Sequence, residues 1–178
     1  SIKAAEDEFM AGVSIPASDD TAVAWIMYQS LDSSVQYCVG NKYDPTERTL
    51  GIVANNAEIT GEGTYTVSLD FSNCGIPKGV LFSALGIYNG EKFFPDYTIS
   101  IDEVKVNGEV RELSGKEYTC SDDGNCTRVN LYNQWVTSIP DDCRYADGDK
   151  SGLSATVLPV KDNEILSTLE ITFTYSAP

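Results

Sequence analysis

Apolar and polar residues alternate with a two-residue period along much of this chain. In GTYTVSLDF, Tyr65, Val67, Leu69 and Phe71 fall on one side and Thr64, Thr66, Ser68 and Asp70 on the other, the pattern of a half-buried strand. STLEITFTY repeats it, with Leu169, Ile171, Phe173 and Tyr175 inward. YTISIDEVKVNGEVREL predicts a strand, an Asn107–Gly108 turn and a second strand, the strongest short hairpin signal. GVLFSALGIY is apolar on both sides, which predicts a central strand covered on both faces; its glycines weigh against a short helix. AVAWIMYQSL, TRVNLYNQW and GLSATVLPV supply further strands, and turn signals such as Asn55–Asn56, Asn89–Gly90 and Asp122–Gly124 separate the runs. About nine or ten short strands without a convincing amphipathic helix predict an all-β chain, a β-sandwich of two antiparallel sheets with jelly-roll topology as its leading form. With no linker, repeat or low-complexity segment, residues 1–178 read as a single domain.

Two of these strands carry unusual polar faces. Strict alternation through TRVNLYNQW puts Val129 and Leu131 on one side and Arg128, Asn130, Tyr132 and Gln134 on the other, with Trp135 following. In AVAWIMYQSL the face with Ile26 and Tyr28 suits a core, leaving Trp25, Met27 and Gln29 opposite; Gln36, Tyr37 and Tyr43 follow in an expected loop. Flat aromatic rings suit the C–H faces of sugars, and planar Arg, Asn and Gln groups suit adjacent hydroxyls. Arg128 to Gln134 spans roughly 20 Å of strand, room for a short oligosaccharide lying along it. The competing reading makes Trp25, Tyr132 and Trp135 buried sandwich aromatics and the amides strand caps.

Charge and composition narrow the choice. A net charge of −15, with twelve Lys and Arg and no basic run, argues against a nucleic-acid partner. No apolar run is long enough to span a membrane. With no histidine, a Ser–His–Asp or Cys–His relay is impossible. A glycosidase needs only two carboxylates, but the tightest pair, Asp102–Glu103, occupies adjacent strand positions pointing to opposite faces and reads more simply as a twist or edge position.

Among the five cysteines, Cys120 and Cys126 flank a five-residue turn sequence. A disulfide between them is expected; closing that loop would remove roughly 2.4 kcal/mol of chain entropy. Such a bond favours an oxidising, extracellular compartment. In YADGDKSG, Asp147, Asp149, Ser151 and Gly152 match the opening of a calcium loop of EF-hand type. The twelfth position is Leu158, so a complete EF-hand is excluded. A looser structural calcium site and a plain polar turn both stay open.

The phrases GEGTYTVSLDF, GVLFSALGIYNGEKFFPDYTISIDEVKVNGE and SDDGNCTRVNLYNQWV, followed by IPDD and ADGD, resemble non-catalytic carbohydrate-binding modules of secreted clostridial and ruminococcal plant-cell-wall enzymes. The resemblance implies a jelly-roll sandwich that binds a β-linked polysaccharide of β-glucan type without cleaving it. It also implies extracellular location, membership of a larger multimodular or cellulosomal protein, and often a structural calcium. The residues that match such a site are Trp25, Gln29, Arg128, Asn130, Tyr132, Gln134 and Trp135, and on this reading Trp25 and Tyr132 offer open rings. A structural or adhesive β-sandwich of a cell-surface protein is the alternative, and a small β-sandwich glycoside hydrolase the third.

Overall fold

The computed structural model describes residues 18–37, 45, 49, 51–114, 120–123, 126–136 and 154–178. They form eleven strands and one short helix: β1 (Ala22–Gln29), β2 (Gln36–Tyr37), β3 (Val53–Asn55), β4 (Ala57–Ile59), β5 (Gly63–Asp70), β6 (Phe82–Tyr88), α1 (Gly90–Phe93), β7 (Thr98–Val106), β8 (Glu109–Val110), β9 (Cys120–Asp123), β10 (Cys126–Asn133) and β11 (Thr168–Ser176). Two antiparallel sheets result. Sheet A runs β2–β1–β6–β10–β9, with β4 beside β2 on the free edge of β1; sheet B runs β3–β5–β11–β7–β8.

The sheets pack face to face around one core. Ala24, Ile26, Tyr28, Leu85, Ile87 and Val129 of sheet A meet Val67, Leu69, Ile99, Val104, Ile171 and Phe173 of sheet B. Tyr28 shows how the layers join: its ring lies 4.8 Å from Phe71, and its hydroxyl donates to the Gly79 carbonyl at 2.7 Å. Burial pushes the Tyr28 phenol well above its ordinary pKa, with the negative charges of Asp32 and Cys74 adding to it. The predicted hairpin forms as expected. Asn107 and Gly108 both have positive φ, 55° and 78°, which a two-residue hairpin turn requires at its centre.

One predicted strand does not form as such. The described part of GLSATVLPV contains isolated bridge residues and no strand, with Thr156 bridging Tyr132 beside the end of β10. Its amides serve a β-bulge instead. Pairing between β10 and β6 shifts between Asn130 and Tyr132, and the Leu131 carbonyl accepts from Val157 N at 2.8 Å and Leu158 N at 3.1 Å. A second bulge, in β7, lies opposite the Thr172–Phe173 step and takes up Asp102.

The expected Cys120–Cys126 disulfide is corrected by register. Cys120 faces Val129 while Cys126 faces Asp123. Three residues of strand, about 10 Å at 3.3 Å per residue, therefore separate their ladder positions. That exceeds the Cα separation of about 7 Å that a disulfide tolerates. Cys126 is a buried thiol with Sγ 3.6 Å from the Thr127 carbonyl oxygen.

Candidate functional site

The face of sheet A that points away from sheet B gathers most of the sequence-selected residues. Strand pairing sets them in rows: Trp25 faces Gly86, which faces Arg128; Met27 faces Ala84, which faces Asn130. A third row crosses four strands, from Gln36 to Gln29 to Phe82 to Asn133. The glycine is a packing requirement. A Cβ on Gly86 would stand 2.6 Å from Met27 Cε and 2.8 Å from two ring atoms of Trp25. Only a hydrogen leaves room for the indole to lie across β6.

This face is largely closed to solvent. Trp25 is 0 % exposed, and Asn130 and Arg128 are buried with it. The guanidinium carbon of Arg128 lies 5.5 Å from the Phe82 ring centroid, a cation–π contact inside the face. The expectation that Trp25 offers an open ring is therefore corrected: on a face this tightly filled, its indole is packing. The opposite side of β1 behaves as the alternation required, with Ile26 and Tyr28 in the core.

Tyr132 is corrected for a different reason. Without the bulge it would share a face with Arg128 and Asn130. The extra residue rotates the strand, so Tyr132 faces Ser83 on the core side and packs partly buried against the core. Asn133 takes the vacated place on the outer face, opposite Phe82.

At the far end of this face the cover stops. Trp135 is 58 % exposed, and its ring sits 6.5 Å from Phe82 with the planes inclined at 44°. Gln134 is exposed, and Gln29 and Gln36 are half-buried. The two glutamines are oriented by one short loop: Gln29 Nε2 donates to Ser33 Oγ at 2.7 Å, and Gln36 Nε2 donates to the Ser33 carbonyl at 3.2 Å. Asp32 fastens that loop, its Oδ1 accepting from Ser34 N, Ser34 Oγ and Ser30 Oγ. These bonds, the Ser34 amide first, hold the Asp32 carboxyl down at about 2. The third row spans about 14 Å across the strands, at roughly 4.8 Å per strand. Gln36 is part of strand β2 rather than a loop, Tyr37 is buried, and Tyr43 lies outside the described residues.

Three groups remain. Asp147, Asp149 and Ser151 of the candidate calcium loop lie outside the described residues; among the described residues no cluster of three His, Cys, Asp or Glu is placed to hold a metal. Asp102 and Glu103 belong to sheet B, where Asp102 accepts from Thr174 Oγ1 at 2.7 Å and Glu103 lies 3.5 Å from Lys105 Nζ. A surface cleft of about 670 Å³ is lined by Glu109, Arg111, Lys161 and Glu164 among others. Arg111 and Glu164 satisfy each other there in a two-point ion pair, Arg111 also donating to the Pro159 carbonyl at 2.9 Å, so they act as a clasp between β8 and the 159–164 segment.

Phe82, Gly86 and Asn133 were missed by the sequence reading. Phe82 and Gly86 sit in a run that is apolar on both sides, and Asn133 falls on the wrong side of a strict alternation. No protein-family model, curated protein or solved structure matches the chain. Among the described residues, no helix is long and apolar enough to cross a membrane.

Proposed function

We propose that this chain is a non-catalytic carbohydrate-binding module of the jelly-roll sandwich type, which holds a β-linked plant polysaccharide of β-glucan type at the Trp135 end of sheet A. The observation that carries the reading is the exposed Trp135, held beside the buried Phe82 with amide side chains at the same end. A large ring left in water but backed by a second ring suits the C–H face of a sugar. Gln29, Gln36 and Gln134 supply neutral amide donors and acceptors for hydroxyls. Trp25, Arg128 and Asn130 form the buried bed beneath this end, and Asp102 and Glu103 are engaged on the surface of sheet B. The low pI and lack of basic runs suit a neutral glycan in an extracellular, multimodular protein.

With one ring as the anchor, binding is weak, with dissociation constants of about micromolar to millimolar, or roughly −8 to −4 kcal/mol. Linkage to a catalytic partner in the same protein would multiply it through effective concentration. Electrophoresis through gels containing soluble β-glucan, mannan or xylan tests the proposal. Retardation on β-glucan without release of reducing sugar is the expected result. Release of sugar would make the chain a hydrolase. Free migration on all three would leave the structural or adhesive module as the better account.

A further inference from the structure

The bulge in β10 does more than turn Tyr132 inward. It brings Asn133 onto the outer face, where two bonds meet at one buried amide. Asn133 Nδ2 donates to Asn130 Oδ1 at 2.9 Å, and Asn133 Oδ1 accepts from the Trp135 backbone amide at 3.1 Å. Asn130 is fully buried and Asn133 nearly so. The strand end is fixed as well, since Asn133 N donates to the Ala155 carbonyl at 2.6 Å. The only strongly exposed aromatic ring among the described residues that touches this face, Trp135, is thus tied through a single side chain to the interior of sheet A.

We propose that Asn133 is a positioning residue for glycan binding, holding the Trp135 indole at a fixed tilt beside Phe82 so that a sugar ring meets a preformed platform. This inference rests on the carbohydrate-binding reading for its ligand, but not for its geometry. An indole on an untethered backbone must be ordered at each binding event, and that cost reduces affinity. The chain of contacts leads from a buried amide to an exposed ring. Among the amides of the outer face, Asn133 is the one bonded to the backbone that carries Trp135.

The test labels the protein with 5-fluorotryptophan, whose two ¹⁹F resonances belong to Trp25 and Trp135 and are assigned with Trp135→Phe. Asn133→Ala removes both bonds. Asn133→Ser keeps a side-chain oxygen able to accept from the Trp135 amide. In Asn133→Ala the Trp135 resonance should shift toward that of free fluorotryptophan and sharpen, while the Trp25 resonance stays. Affinity for a soluble β-glucan oligosaccharide should fall about five- to tenfold, the worth of one neutral hydrogen bond or a little more. Asn133→Ser should recover most of both. An unchanged Trp135 resonance in Asn133→Ala overturns the positioning role, as does a loss of affinity that Asn133→Ser shares in full. If the wild type binds no glycan while the Trp135 resonance responds as expected, the carbohydrate reading fails and the tether stands.

Discussion

The two outer faces of this sandwich are built on opposite principles. On sheet B, exposed Thr64 and Thr66 and half-buried Thr172 and Thr174 bond across the strands, Thr66 to Thr172 at 2.9 Å and Thr64 to Thr174 at 3.3 Å. Lys105 sits among them between Glu103 and Glu170. On sheet A, the equivalent face buries Trp25, Met27, Arg128 and Asn130, and exposes a large ring at Trp135. Both sheets send the same kinds of residue into the shared core, so the core does not explain the difference. A face of hydroxyls and paired charges is complete in water. A face holding an indole, a guanidinium and amides needs cover or a ligand, because those groups are costly either to strand in apolar surroundings or to leave as bare ring surface.

The comparison makes substitutions on the two faces diverge. The largest effect is expected for Trp25→Ala, which should cost about 3–5 kcal/mol as a large buried side chain is lost. Denaturant unfolding would show it as a lowered midpoint, and a change below about 1 kcal/mol would mean that the indole is not packed as described. Gly86→Ala comes next, at about 1–3 kcal/mol, because its methyl would collide with Met27 and Trp25. Thermal melting would register that as a drop of about 2–4 °C per kcal/mol for a chain of this size.

A smaller effect is set by pH at the open end of sheet A. The Asp32 carboxyl lies below its ordinary 3.8, at about 2, when folded. A depressed carboxylate contributes stability that is complete above the unfolded value and is lost as pH falls through the folded one. The advantage of wild type over Asp32→Asn should therefore hold near neutral pH and fade between about pH 4 and about pH 2. Chemical melts across that range check it; an advantage that grows in acid would contradict the sign. The smallest effect belongs to sheet B, where Thr66→Ala should change stability by less than about 0.5 kcal/mol and leave glycan retention untouched.

How much of this was legible in the sequence depends on whether a feature disturbs the alternation. Strands β5 and β11 alternate cleanly, so their inward residues were identified one by one. The doubly buried β6 declared itself by lacking a polar side. The bulge in β7 also left a trace, since Ile99 and Ile101 are followed by Val104 and Val106, and the break falls on Asp102–Glu103, read beforehand as a twist or edge position. The bulge in β10 left none. Val129, Asn130, Leu131 and Tyr132 alternate without interruption although the strand turns over between them. Nothing local marks it, because the donors that hold it, Val157 and Leu158, arrive from 26 residues or more away in the chain. The two strands were thus read as strands, while Tyr132 and Asn133 exchanged faces. Trp25 was misplaced for a related reason: period two tells which face a ring is on, not whether that face is covered.

Hydroxyl-radical footprinting of the two tryptophans, with and without a soluble β-glucan oligosaccharide, tests most directly the claim that the outer face of sheet A buries Trp25 and offers Trp135 as its exposed ring. Trp135 should be oxidised readily in the free protein and protected by the oligosaccharide, with Trp25 unreactive in both states. Ready oxidation of Trp25, or protection that falls on the threonine face of sheet B and not on Trp135, would contradict it.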